Sequence, residues 1–160
     1  MKPKMFSMSL IACFTAMLLT TGTISAHDTG KAFRIHEQCF LNCHSNPEMT
    51  AIVKTIEYYI EGGRKGNSKI TEKAFADNAT MSWAETGQTR TVPIKVLYDI
   101  VDKSGASTAS YKLLDFNIDK NIAIVKIQSR FGPQEYIDMF TLIKDAGNWK
   151  IVSKIYRINN

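Results

Sequence analysis

Histidine and cysteine are scarce in this chain. There are three of each among 160 residues, and all six, Cys13, His27, His36, Cys39, Cys43 and His44, lie ahead of residue 45. The remaining body therefore has no thiol nucleophile, no histidine–carboxylate dyad and no histidine-rich metal site, unless the leading segment folds back over it. Internal repeats and low-complexity tracts are also missing. Basic residues are scattered, with "GGRKGNSK" the densest run, and no aromatic–basic stripe suits a phosphate backbone and stacked bases, so nucleic acid is not an expected partner.

One more absence is informative. After Lys2 and Lys4 no charged residue occurs until Asp28, and between them lie the apolar run "LIACFTAMLL" and a small-residue end at Ala26. That anatomy is a secretory signal, residues 1–26, with cleavage expected after Ala26. Ser7, Ser9, Thr20, Thr21, Gly22 and Thr23 dilute it too far for a retained span, and no stable membrane insertion is expected after cleavage. "LIAC" ending at Cys13 is the alternative, a lipoprotein box. Loss of Lys2 and Lys4 leaves 18 of the 20 basic residues against 15 acidic ones, a mild net +3. The expected location is secreted, in the periplasm.

What is present fits one globular domain, with 44% hydrophobic and 22% charged residues. Residues 27–45 read as an N-terminal extension and residues 46–160 as the domain. Asn46 as N-cap and Pro47 at the first helical position open a helix whose Met49, Ile52, Val53, Ile56, Tyr59 and Ile60 share one face, and Gly62-Gly63 is expected to stop it. Ser68 caps a shorter helix. "ATMSWAE" and "QTRTV" flank a turn at Thr86-Gly87, and Pro93 opens a third helix, "PIKVLYDIVDK". The period then changes. "SYKLLDFNID", "NIAIVKIQSR", "EYIDMFTLIKD" and "NWKIVSKIYRI" are four strand-like runs separated by Asp-Lys-Asn, Phe-Gly-Pro and Asp-Ala-Gly-Asn, the pattern of an antiparallel meander. The fold class is α+β, with about three helices packed on a curved antiparallel sheet.

The run "GGRKGNSKITEKAFADNATMSW", containing "AF.DNA", together with "YIDMFTLIKDAGNWKIVSKIY", resembles the nuclear transport factor 2-like superfamily, in the branch labelled putative lumazine-binding. The resemblance spans residues 48–158, and its most specific part is the terminal hairpin. It implies a cone-shaped α+β fold, a pocket between the helices and the concave sheet, and a homodimer through the outer sheet face. It implies little about function, since the superfamily holds isomerases, dehydratases, polyketide cyclases and non-enzymatic binders, and no catalytic residue is carried over because no enzyme-specific motif matches.

The last hairpin can be read for a site. If Lys144 pairs with Trp149 and the register runs on unbroken, Asp138 lies opposite Ile155 and Tyr136 opposite Arg157. Tyr136, Asp138, Phe140 and Leu142 then share the inner face with Trp149, Ile151, Ser153, Ile155 and Arg157. Asp138 and Arg157 become diagonal neighbours within reach of a charge-assisted pair, either a structural ion pair at the rim or a polar anchor in the pocket. The outer face carries Glu135, Ile137, Met139, Thr141, Ile143, Lys150, Val152, Lys154 and Tyr156. An enzyme built on this body would need a scheme like that of ketosteroid isomerase, with Asp138 as base and Tyr58, Tyr98 or Tyr136 as the oxyanion donor. Asp99 and Asp115 are weaker bases, and each tyrosine also reads as a packed aromatic. Trp83 on the early hairpin could line the mouth. The candidate ligand-binding set is Tyr58, Trp83, Tyr98, Tyr136, Asp138, Phe140, Trp149 and Arg157.

"CFLNCHSNP" remains. In an oxidising compartment Cys39 and Cys43 form an even pair once Cys13 leaves with the signal, which favours a disulfide. Side chains four apart on a regular helix have Cβ atoms about 5–6 Å apart against about 3.8 Å in a disulfide, so the bond requires a distorted turn or a non-helical segment. His36, Cys39, Cys43 and His44 could instead gather zinc or copper, and a haem attachment would need C-x-x-C-H, which is not met. No metal or cofactor is assigned. The expected function is an exported binder of a small, partly apolar ligand. The alternatives are a proton-transfer isomerase, dehydratase or cyclase using Asp138, and a dimeric interaction module with a vestigial pocket.

Overall fold

The structure, a computed structural model, describes residues 46–159. The expected signal, the extension, the Cys39–Cys43 bond and the three histidines lie outside the described residues. Among the described residues no helix is long and apolar enough to cross a membrane. The elements run α1 (Pro47–Lys65), α2 (Ser68–Thr71), a 3-10 turn (Glu72–Ala74), β1 (Phe75–Glu85), β2 (Gln88–Pro93), α3 (Lys95–Ser104), β3 (Ala109–Asp119), β4 (Ile122–Phe131), β5 (Gln134–Asp145) and β6 (Asn148–Ile158). This is the expected α+β class, with one six-stranded sheet in the order β2-β1-β6-β5-β4-β3. Its pairings are antiparallel except β1 with β6, which is parallel.

Helix α1 begins where the chain chemistry puts it. Asn46 Oδ1 accepts from the Glu48 amide at 2.9 Å, and Pro47 occupies a position whose N–H would have no partner. It does not end at Gly62-Gly63. It runs on to Lys65 and stops at Gly66, in the left-handed conformation at φ 58°. The two inner glycines are packing positions instead, since a Cβ on Gly63 would lie 2.3 Å from Phe131 Cε1. Two further boundaries shift by small steps. Asn67 rather than Ser68 caps α2, accepting from Lys69 N at 3.0 Å, and Pro93 closes β2 while α3 starts at Lys95.

All three meander turns are two residues long. Lys120, Gly132, Ala146 and Gly147 take positive φ within them, as tight hairpins with right-handed strand twist require. The core lies between α1 and the inner face of the sheet. Ile52, Ile56 and Ile60 of α1 meet Val125, Ile127, Phe140, Leu142 and Ile151, all at most 2% exposed, and each such side chain contributes about 1.5–3 kcal/mol of burial free energy.

The unbroken register assumed for β5–β6 is wrong beyond its first half. From Asp145↔Asn148 to Leu142↔Ile151 the pairing is as expected, but the next pair is Thr141↔Ser153. Val152 is therefore an extra residue on β6, a β-bulge that reverses which face every later β6 side chain occupies. Lys154 and Tyr156 turn inward, and Ile155 and Arg157 turn outward. Ile155 is 53% exposed while Lys154 is 3% exposed.

Candidate functional site

The inward turn of β6 builds a polar cluster on three neighbouring strands. Ser129 of β4 donates through Oγ to Asp138 Oδ2, and Lys154 of β6 donates through Nζ to Asp138 Oδ1. Asp138 is fully buried and the Lys154 side chain almost so, making this a buried ion pair with a hydroxyl on its free oxygen. Aromatic rings enclose the ammonium. Its nitrogen stands 4.3 Å from the centre of the Tyr156 ring, 5.6 Å from Tyr59 and 6.0 Å from Phe140, close enough for cation–π attraction.

Lys154 is also where the cluster meets open space. A cavity of about 310 Å³ lies between α3, the end of α1 and the sheet. Leu97, Ile100 and Val101 of α3 form one wall; Tyr59 and Gly63 of α1, Met81 of β1, and Phe131, Gly132 and Pro133 at the β4–β5 turn form others. Tyr136, Lys154 and Tyr156 supply the sheet side. The size and the apolar walls with a few convergent polar groups are those of a small-molecule site. Asp102 holds the α3 wall in place by accepting from Ser68 N and Oγ, each at 2.8 Å, and these bonds hold its carboxyl below the usual range.

Electrostatics at the site follow from burial. Loss of water pulls the Lys154 ammonium down from its ordinary value, and the Asp138 carboxylate opposes this without cancelling it. Burial first, then the Asp138 charge, pushes the Tyr59 hydroxyl well above 10. Tyr136 and Tyr156 are raised for the same leading reason. The phenols are thus hydrogen-bond donors at neutral pH, facing one amine that carries its proton less firmly than a surface lysine does.

The residues singled out from sequence scatter more widely. Tyr136 lines the cavity, and Asp138 lies directly behind it, reaching the cavity through Lys154. Phe140 and Trp149 are core, 1% and 3% exposed; Trp149 Nε1 donates to Glu48 Oε2 at 2.8 Å. Tyr58 lies outside the cavity with Lys73 Nζ 5.8 Å from its ring centre. Tyr98 packs edge-on against Phe75, and partial burial, with Glu72 and Asp77, pushes its hydroxyl up to about 12. Trp83 backs Tyr156 with ring centres 5.7 Å apart. Arg157 is exposed on the outer face, donating to the Ile158 carbonyl at 3.1 Å, so the expected Asp138–Arg157 pair does not form. Sequence reasoning missed Lys154, Tyr156, Ser129 and the α3 wall, and took Tyr59 only as an apolar helix position. The available signal was Asp138 itself: an acid on an inner face needs a cation, and Lys154 sits one residue out of step on the neighbouring strand.

Three helices and a six-stranded, mostly antiparallel sheet, with a cavity between helices and sheet, define the nuclear transport factor 2-like class. The chain belongs to the family described as putative lumazine-binding, whose model matches residues 47–157. Among curated proteins it is similar to "Aldolase FrzH" of Cladobotryum sp, 30% identical over 115 residues, covering 70% of this chain and 92% of that protein. Among solved structures it is similar to a nuclear transport factor 2-like protein of unknown function from Shewanella baltica, with 31% identity, 71% of this chain and 94% of that one covered, and a TM-score of 0.66. A second such protein, from Methylobacillus flagellatus, is 22% identical with a TM-score of 0.65, covering 71% of this chain and 93% of its own, and supports the fold alone.

Proposed function

We propose that this domain binds one small, partly apolar molecule in the cavity, with a polar acceptor group directed at Lys154 and the hydroxyls beside it. The observation that carries the reading is a cavity of about 310 Å³ with aliphatic and aromatic walls and a single ammonium on its sheet side. A purely apolar filler would leave Lys154 and the phenols without a partner from the ligand, whereas a carbonyl or carboxyl oxygen would accept from them. The test is mass spectrometry of small molecules extracted from natively purified protein, alongside the variant Val101→Phe, which fills the α3 wall. A molecule that accompanies the parent chain and is lost from Val101→Phe supports the reading. Equal yields from both would refute it.

A catalytic reading is supported by the resemblance to a protein named an aldolase and by the buried amine. It departs from the scheme with Asp138 as base, because Asp138 is 0% exposed and both of its oxygens are engaged. Asp138 would exchange a proton with a bound molecule only through Lys154 or with a group joined to its amine. We propose also that the outer face receives a second copy of the chain. Ile122, Ile143, Ile124, Met139 and Ile155 are each at least 40% exposed and lie in adjoining rows of β4, β5 and β6. Met139→Lys should then yield a monomer by size-exclusion chromatography; a parent chain that is itself monomeric at high concentration would contradict it.

A further inference from the structure

A lysine on the inner wall of an apolar cavity is a costly placement, and Asp138 alone does not explain it. An ion pair this dry is on average no more stabilising than apolar residues of the same size. Lys154 also differs from an ordinary core ion pair in that it lines a cavity, alone among the described lysines. Around it stand Asp138, Tyr59, Tyr136 and Tyr156 as titratable neighbours and Ser129 as a hydroxyl donor.

We propose that Lys154 captures a carbonyl compound covalently, as an imine with an aldehyde or ketone held in the cavity. This rests on the small-molecule reading above and narrows it to one substrate class. The ammonium passes one proton to Asp138 Oδ1, and the freed Nζ lone pair adds to the carbonyl carbon. The C=O π pair moves to oxygen, which takes a second proton from the same nitrogen, giving a neutral carbinolamine. Asp138 then returns its proton to the departing hydroxyl, the C–O bond breaks, and water leaves as the nitrogen lone pair closes the C=N bond. Carbonyl and ammonium have become iminium and water, with charge conserved and Asp138 a carboxylate again. The iminium stands where the ammonium stood, beside the same carboxylate and over the Tyr156 ring at 4.3 Å, so the product cation inherits the reactant's stabilisation. Burial favours the step, because it draws Lys154 toward the free amine while the phenols stay protonated.

The test uses the full chain with benzaldehyde and with cyclohexanone as probes, followed by borohydride, with intact mass and peptide mapping as readouts. One reduced adduct per chain is expected, on Lys154, forming ahead of any at surface lysines because burial leaves more of its amine free at the same pH. The mapping is made on the parent chain, so it does not depend on a variant that folds. Asp138→Asn/Lys154→Met, which removes both buried charges together, should lose the adduct. Reversible binding by the parent chain with no fixed adduct, or with adducts spread over Lys69, Lys103 and other exposed lysines, overturns covalent capture and leaves the binding reading standing. No binding of either probe in any form overturns covalent capture, and if the cavity also proves empty in extracted native protein, the binding reading falls with it.

Discussion

The β5–β6 hairpin is two different structures on either side of Val152. Toward the turn it is dry: Leu142, Trp149 and Ile151 are at most 3% exposed, and Glu48 clamps the end by accepting from Lys144 Nζ at 2.6 Å and from Trp149 Nε1. Beyond the bulge the same inner face carries Asp138, Lys154, Tyr136 and Tyr156 and opens onto the cavity. One inserted residue separates a half that holds the fold together from a half equipped to hold a ligand. Strict alternation would have put Ile155 inside and Lys154 in water.

The sharpest way to break this comparison is at its join. Phe140 pairs across from Lys154 and packs on Tyr59 with ring centres 5.6 Å apart. Phe140→Ala should destabilise by about 3–5 kcal/mol in denaturant unfolding; a loss near that of an exposed site would mean that the faces are assigned wrongly. The ion pair comes next. Asp138→Asn or Lys154→Met alone should cost about 3–5 kcal/mol, with the double variant recovering much of that, because each single change strands the other group in a dry site. Asp138→Asn with Arg157→Gln should be additive within about 0.5 kcal/mol, since Arg157 lies on the other face. Coupling there instead would restore the unbroken register.

Gly63→Ala should cost less, about 1–3 kcal/mol, as the new methyl pushes Phe131 and the cavity wall aside. The smallest effect belongs to the dry end. The Lys144 hydrogen bond first, and that of Trp149 second, hold the Glu48 carboxyl below its ordinary 4.5. A depressed acid gives its full stabilisation above pH 4.5 and loses it as pH falls through the folded value. Glu48→Gln should therefore flatten the acid limb of the stability curve in thermal melts and leave ligand binding untouched.

Much of the fold was legible because its signals are local. Asn46-Pro47, the paired turn residues and the alternation of β4 are each decided within a few positions, and all appear where expected. Gly62-Gly63 misled because a helix stop and a close packing contact both call for the same residue. The parallel pairing of β1 with β6 joins segments too far apart in sequence for any local pattern to express. The site was legible only in part for a related reason. A bulge leaves no composition of its own, and "VSKIYR" alternates tolerably in either phase, so the choice rests on whether Lys154 finds an acid. That acid, Asp138, lies on the partner strand.

Lys154 lines a cavity, and burial frees its amine more easily than that of an exposed lysine. Competitive labelling of all lysines with a small acylating reagent across the alkaline range tests it directly. Lys154 should gain reactivity at a lower pH than Lys69 or Lys103, and Val101→Phe, which fills the cavity, should suppress labelling at Lys154 alone. A Lys154 that stays unlabelled until the fold opens, or that titrates together with the surface lysines, would contradict the account.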